Sequence, residues 1–133
     1  MKHILAMTVV VGMLGWGIPA RAADEWKAPA RAAKRKNPNG ADPASLAAGA
    51  KVWAAECESC HGSKGQGDGI AVKDLDKKPQ PLGALIAPQT DGELFWKLTE
   101  GRKPMPAFTK LSETDRWNAV NYMRSLLSKE TAK

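Results

Sequence analysis

The sequence is poor in the residue types from which metal and disulfide frameworks are usually built. Its 133 residues contain two cysteines and two histidines. That count leaves at most one disulfide and, once His3 is lost with a cleaved N-terminal signal, only three Cys and His side chains, short of a four-ligand structural zinc site. Strand-like alternation of apolar and polar residues is absent throughout, which excludes a sheet-based fold. There is no internal repeat. Beyond the first 18 residues there is no long apolar run, and even that first run is shorter than the roughly 20 residues a membrane-spanning helix needs. Charge of a single sign is also missing: the formal net charge of +6 is local, which excludes a nucleic-acid binder read from overall charge.

What is present begins with an export signal. Met1-Lys2-His3 is basic, an apolar stretch runs on to Ile18, and Ala20-Arg21-Ala22 supplies an Ala-x-Ala site, the pattern of a secretory signal cleaved after Ala22. Gly12, Gly15, Gly17 and Pro19 interrupt the apolar stretch, and no later cysteine is free to take a lipid. The expected product is soluble, not membrane-spanning, and periplasmic in a Gram-negative source. Residues 23–41 form a Pro/Ala-rich segment with Lys27, Arg31, Lys34, Arg35 and Lys36. It reads as a solvated basic leader, with Trp26 as the one residue suited to pack back on the domain. Residues 42–128 are the expected single domain, and 129–133 a tail.

Within that domain the signals are helical. Asp42 can cap, Pro43 suits a first helical position, and Leu46, Ala50 and Trp53 recur at helical spacing into Cys57. Four glycines between Gly62 and Gly69 predict a tightly bent loop. A short helical turn is expected over residues 71–75, and then an irregular stretch punctuated by Pro79, Pro81 and Pro88. Thr90-Asp91-Gly92-Glu93 is a capping-box pattern opening a helix that Gly101 stops. Ser112 opens the last helix, whose apolar stripe is Trp117, Val120, Met123 and Leu127. The fold class is therefore all-α.

Cys57-Glu58-Ser59-Cys60-His61 is the pattern of covalent c-type haem attachment. Two thiols must reach two vinyl groups of one porphyrin, and the next residue must present an imidazole to iron. A zinc site would need a second ligand pair, and a thioredoxin-like thiol pair would need a neighbouring strand-helix-strand unit; neither is present. The pattern uses both cysteines of the chain, and export is what haem attachment requires.

The second axial ligand is found by elimination. With His3 lost in the signal, His61 is the one histidine left, so two imidazoles are excluded. Methionine is the common partner of histidine in electron-carrying cytochromes, and removal of Met1, Met7 and Met13 leaves Met105 and Met123. Met123 sits in the apolar stripe of the last helix, where methionine is usually core filling. Met105 stands between Pro104 and Pro106, which stiffen the loop that would hold a weak thioether on iron.

In these residues the sequence resembles the class I single-haem c-type cytochromes, in their small bacterial periplasmic form. The resemblance covers residues 42–128 and rests on Cys57 to His61, the glycine-rich loop, Pro104-Met105-Pro106 and the aromatic residues of the end helices. It implies a cytochrome c-like fold of three main helices around one covalently bound haem c, with Gly49, Trp53 and Tyr122 at the family's helix-crossing positions. It also implies a backbone carbonyl, from Pro79 or Pro81, for the free N–H of His61. A propionate partner is implied too, for which Trp96 and Arg102 are candidates beside their ordinary roles as core aromatic and solvated base. Gly69-Ile70 departs from the family's usual Gly-Pro.

The expected function is one-electron transfer between redox-partner proteins by a monomer that is not an enzyme, with Cys57, Cys60, His61 and Met105 as cofactor-binding residues and His61 and Met105 as the metal ligands. An acidic docking surface on a partner would suit the basic leader. Two rivals stand beside this reading: a sensor or peroxidase in which the Met105 bond is weak, and a subunit docked permanently through the leader.

Overall fold

The computed structural model describes the backbone of residues 26–131 and the side chains of residues 26–127. The export signal expected over residues 1–22, and the end of the tail, lie outside the described residues. Those described are helical: α1 (Ala30–Ala33), α2 (Pro43–Val52), α3 (Glu58–His61), α4 (Leu82–Ile86), α5 (Asp91–Glu100) and α6 (Glu113–Thr131). No strand occurs among the described residues, and the fold is all-α, with α2, α5 and α6 as its main helices.

Helix α2 starts where Asp42 accepts the Ser45 N–H at 2.8 Å and Pro43 fills the first position, a cap that contributes about 1 kcal/mol. Its continuation, Trp53–Cys57, is a π-helical turn in which the Glu58 N–H bonds the Trp53 carbonyl. Such wide turns shift the phase of the next helical turn and are frequent at functional sites. The capping box of α5 is complete: Thr90 Oγ1 accepts from the Glu93 N–H at 3.2 Å, and the Glu93 carboxylate accepts from the Thr90 N–H at 2.7 Å. Gly101, at φ +64°, stops the helix. Ser112 caps α6 by accepting the Asp115 N–H at 3.0 Å.

The core lies between these helices. Trp53, Trp117 and Val120 are its most completely buried side chains, joined by Leu82, Ile86, Leu94, Phe95, Leu98, Phe108 and Met123. Phe95 stacks on Trp117 with ring centroids 4.0 Å apart. Helix α2 crosses α6 at Gly49, where a Cβ would run into the Asn118 carbonyl and the Tyr122 Cβ.

Two expectations need correction. The stretch between Pro79 and Pro88 is not wholly irregular, for it holds α4. Pro81 is the N-cap of that helix and Pro88 comes directly after its C-cap, Ala87, so these prolines bound a helix instead of forbidding one. Arg124 secures the turn from α4 to α5, donating to the Asp91 carboxylate at 3.0 Å, to the Ile86 carbonyl at 2.7 Å and to the Gln89 carbonyl.

The larger correction concerns the leader. The basic side chains of residues 26–41 are exposed, as a solvated leader predicts, but the segment is also a strap pinned across α5 and α6. The Lys97 ammonium lies 5.2 Å from the Trp26 ring, as the exception made for Trp26 anticipated. Ala32 is buried, and α1 passes so close to α5 that a Cβ on Gly92 would overlap the Ala32 carbonyl. Thr90 Oγ1 donates to the Ala33 carbonyl at 3.0 Å. Asn37 donates to Asn121 at 2.8 Å, and Asn39 to Asn118 at 2.9 Å. Apolar contact is too sparse here for periodicity to show; directed hydrogen bonds hold the segment.

Candidate functional site

Cys57 ends the π-helical turn, and Cys60 and His61 lie on the single turn of α3. The chain then reverses at Gly62, at φ +77°, a region open to glycine and costly for other residues. The glycine-rich loop folds back so that its amides satisfy the last carbonyls of α3. Gly62 N–H bonds the Glu58 carbonyl at 2.8 Å, Gly67 N–H the His61 carbonyl at 2.8 Å, and Gly69 N–H the Cys60 carbonyl at 3.3 Å. The Trp53 indole N–H donates to the Gly62 carbonyl at 3.2 Å. These bonds fix the backbone around the two thiols and the imidazole.

The His61 ring stands 5.9 Å from the Trp53 ring, and its Nδ1 is buried without a hydrogen-bond partner. Burial lowers its pKa below the ordinary 6.5, which favours the neutral imidazole, the form that binds metal. Neither Pro79 nor Pro81 supplies the expected carbonyl to Nδ1. The Pro79 carbonyl instead packs against Gly67, where a Cβ would overlap it. Cys57 and Cys60 are free thiols. Burial, then the charges of Glu56 and Cys60, pushes the Cys57 thiol up to about 12. A thioredoxin-like redox cysteine needs the opposite shift.

Met105 belongs to a loop hung on α5 at both ends. Gly101 N–H bonds the Lys97 carbonyl at 2.9 Å and Phe108 N–H bonds the Leu98 carbonyl at 2.9 Å. Between them Arg102 and Met105 exchange both backbone hydrogen bonds at 2.9 Å, across a cis Lys103-Pro104 peptide. Met105 is half-buried and packs on the cluster that contains Trp53, Cys57 and Leu82. Met123 is buried in that core. Cys57 and Met105 thus meet the same apolar cluster, and the Trp53 ring of that cluster lies 5.9 Å from the His61 ring, tilted by 44°.

Trp96 lines a groove with Arg31, Ala32 and Arg35, on the strap side of α5, and the exposed Arg102 pairs through its backbone with Met105. Ile70 is 81 % exposed and opens a 3-10 helix, Ile70–Asp74. At that first position a proline would also fit. Sequence reasoning missed the strap's anchors Arg35, Asn118 and Asn121. The run Asn37-Pro38-Asn39-Gly40, dense in turn formers, was the signal that could have drawn attention to the strap.

A half-buried imidazole beside Trp53, two thiols three residues apart on successive helical turns, and a thioether over an apolar cluster fit a covalently attached haem. Among the described residues no group of three or more His, Cys, Asp or Glu side chains converges to hold a metal ion.

Comparison with known proteins agrees. The family described as "Cytochrome C oxidase, cbb3-type, subunit III" matches residues 44–123. Cytochrome c6 of Picosynechococcus sp. is 30% identical over 132 residues, with 92% of each chain covered. A solved structure, the reducing HAO-like protein complex of Kuenenia stuttgartiensis, contains a chain similar at TM-score 0.60 and 27% identity over 68% of this chain. The present chain spans 47% of that one, about half its length. The chain described here belongs to the cytochrome c family, as an electron carrier and not an enzyme, with Cys57 and Cys60 as the attachment pair for one covalent haem c.

Proposed function

We propose that this protein is a periplasmic one-electron carrier whose haem iron is ligated by His61 and Met105. The observation that carries the reading is the joint placement of the half-buried His61 imidazole, whose ring lies 5.9 Å from that of Trp53, and a thioether loop anchored on α5, both beside the core cluster that includes Trp53 and Cys57. When bound, the haem supplies a single reversible Fe(III)/Fe(II) couple. Cys57 and Cys60 hold it by thioether bonds. His61 is kept neutral by burial, and Met105, a weak ligand that favours the reduced metal, raises the potential above that of a bis-nitrogen site. Two protein ligands would leave the iron no position open to a substrate, and anchoring of the Met105 loop on α5 would keep rearrangement small during electron exchange.

Export rests on the signal pattern of residues 1–22, and among the described residues no helix is long and apolar enough to cross a membrane. Redox proteins are the partners. The exposed Lys27, Arg31, Lys34 and Lys36 suit one with an acidic docking surface, met by a monomeric carrier. The proposed organisation is a signal at 1–22, a basic segment at 23–41, a cytochrome domain at 42–128 and a tail at 129–133.

The test is the visible spectrum of the purified, haem-loaded protein in both oxidation states, with its pyridine haemochrome and haem staining after denaturing electrophoresis. Haem that stays with the polypeptide, together with the weak near-red band of a thioether-ligated ferric haem, is expected. A colourless band from protein matured with its signal and an attachment system overturns covalent binding, and absence of the near-red band overturns Met105 as ligand.

A further inference from the structure

The strap makes one contact whose consequence reaches the Met105 loop. Arg35 comes from the basic segment, yet its guanidinium lies 4.6 Å from the centroid of the buried Phe95 ring and 5.4 Å from that of Trp117. It also pairs with Glu113 at 2.6 Å. On the same ring Arg116 lies 5.0 Å from the Phe95 centroid, and it donates to Thr99 Oγ1 at 3.0 Å. Phe95 is thus stacked on Trp117 of α6 and flanked by two guanidinium groups, one from the strap and one from α6. Thr99 Oγ1 itself donates to the Phe95 carbonyl at 2.8 Å, in the last turn before Gly101.

Helix α5 anchors both ends of the methionine loop: Lys97 and Leu98 supply the carbonyls that receive Gly101 and Phe108. A displacement of α5 along α6 therefore carries Met105 with it. Gly101 leaves little slack, because a Cβ there would meet Ala107 N and the Pro106 carbonyl carbon at 2.5 Å. Ala32, lying against Gly92, fixes the other end of α5.

We propose that Arg35 is a positioning residue for Met105: by bridging the Phe95 ring of α5 and the Trp117 ring of α6 along one side of their stack it sets α5 against α6, and α5 sets the loop that presents the thioether. The basic segment thereby has an internal task separate from the outward-facing Lys34 and Lys36. A planar, forked guanidinium reaches both rings and the Glu113 carboxylate at once, which the compact ammonium of lysine does not reproduce. The proposal rests on Met105 being the iron ligand, and its test separates the two.

Haem-loaded wild type, Arg35→Ala, Arg35→Lys and the surface control Lys36→Ala are compared by two readouts. The first is the affinity of the ferric protein for imidazole, which competes with Met105 for iron. The second is hydrogen exchange of the Phe108 amide, which reports the loop whatever the ligand. Arg35→Ala is expected to bind imidazole about two- to fivefold more tightly, the order expected from losing a cation–π contact at an exposed site, and to exchange Phe108 N–H faster while amides of α2 are unchanged. Arg35→Lys should recover little of either, and Lys36→Ala should match wild type. Equal imidazole affinity and Phe108 exchange in wild type and Arg35→Ala overturn the proposal, as does acceleration shared equally by α2, which marks general destabilisation. Should wild type lack the thioether band, the Met105 reading fails by itself, and Phe108 exchange alone then decides whether Arg35 sets the loop.

Discussion

Gly49 of α2 lies so close to Asn118 of α6 that a Cβ at residue 49 would overlap the Asn118 carbonyl. The side chain of the same asparagine accepts hydrogen bonds from Ser45 Oγ at 2.8 Å and Asn39 Nδ2 at 2.9 Å. One residue of α6 therefore meets α2 through its backbone and joins both α2 and the strap through its amide. Since α2 continues into the Cys57–His61 segment, this crossing decides where the attachment site stands relative to the rest of the core.

Gly49→Ala tests that crossing. Helix propensity alone favours alanine by about 1 kcal/mol, whereas overpacking costs about 1–3 kcal/mol and sometimes more. The colliding atoms belong to the backbone of another helix and cannot rotate away, so the steric cost wins. Denaturant titration of the haem-loaded protein should show a lower midpoint for Gly49→Ala; a higher one would mean that the helices separate easily.

Met105→Ala removes the thioether and opens a coordination position. The reduced variant should bind carbon monoxide readily while wild type binds it poorly, and the potential should fall, as voltammetry would show. Met123→Leu is the control. As a nearly volume-conserving change in the core it should cost less than about 1.5 kcal/mol and leave the ligand spectrum intact. Ready carbon monoxide binding by wild type, unchanged in Met105→Ala, would favour the sensor or peroxidase reading.

His61 sets a pH dependence. Burial holds its pKa below 6.5, so between the unfolded and folded values the unfolded chain binds more protons than the native one. Stability is then fully present above about pH 6.5 and is lost as pH falls toward the folded value, with a slope of at most about 1.4 kcal/mol per pH unit for one proton. Metal ligation of the imidazole acts in the same direction. Unfolding midpoints measured stepwise from about pH 8 to about pH 5.5, above most carboxylate titration, should be flat at first and then decline. A constant midpoint across the range would contradict a neutral, buried His61.

Charge reversal at Lys34 and Lys36 addresses partner choice. Both side chains are exposed, so Lys34→Glu/Lys36→Glu should leave the spectrum unchanged. Electron exchange with the anionic oxidant hexacyanoferrate(III) should slow several-fold at low salt, and the difference should vanish once the Debye length shrinks to about 3 Å near 1 M salt. A rate insensitive to the reversal would remove these lysines from any steering role.

The parts of this molecule that were legible in the sequence are those in which cause and effect are neighbours along the chain. Cys57 to His61 is a five-residue pattern. The caps at Asp42 and Thr90 act on residues three positions away, and glycine at residues 62, 65 and 67 meets a backbone demand at those same residues, each at positive φ. The all-α class and the identity of the last helix come from periodicity, and Met123 reads correctly as core because its stripe does.

Other features depended on residues that meet only after folding. Asn37 finds Asn121 across 84 positions and Arg35 finds Glu113 across 78, so composition made the strap resemble a solvated leader. The absence of a proline carbonyl at His61 Nδ1 likewise depends on how the residue 79–81 segment comes to pack on Gly67. Short-range hydrogen bonding and helical period act through a few successive residues and are written in their order, which is why the sequence by itself determined the attachment pattern, the helices and their ends. Which side chain lies over Phe95, how closely α2 meets α6, and where the Met105 loop is anchored were decided by tertiary structure alone, because those contacts join residues that no local preference brings together.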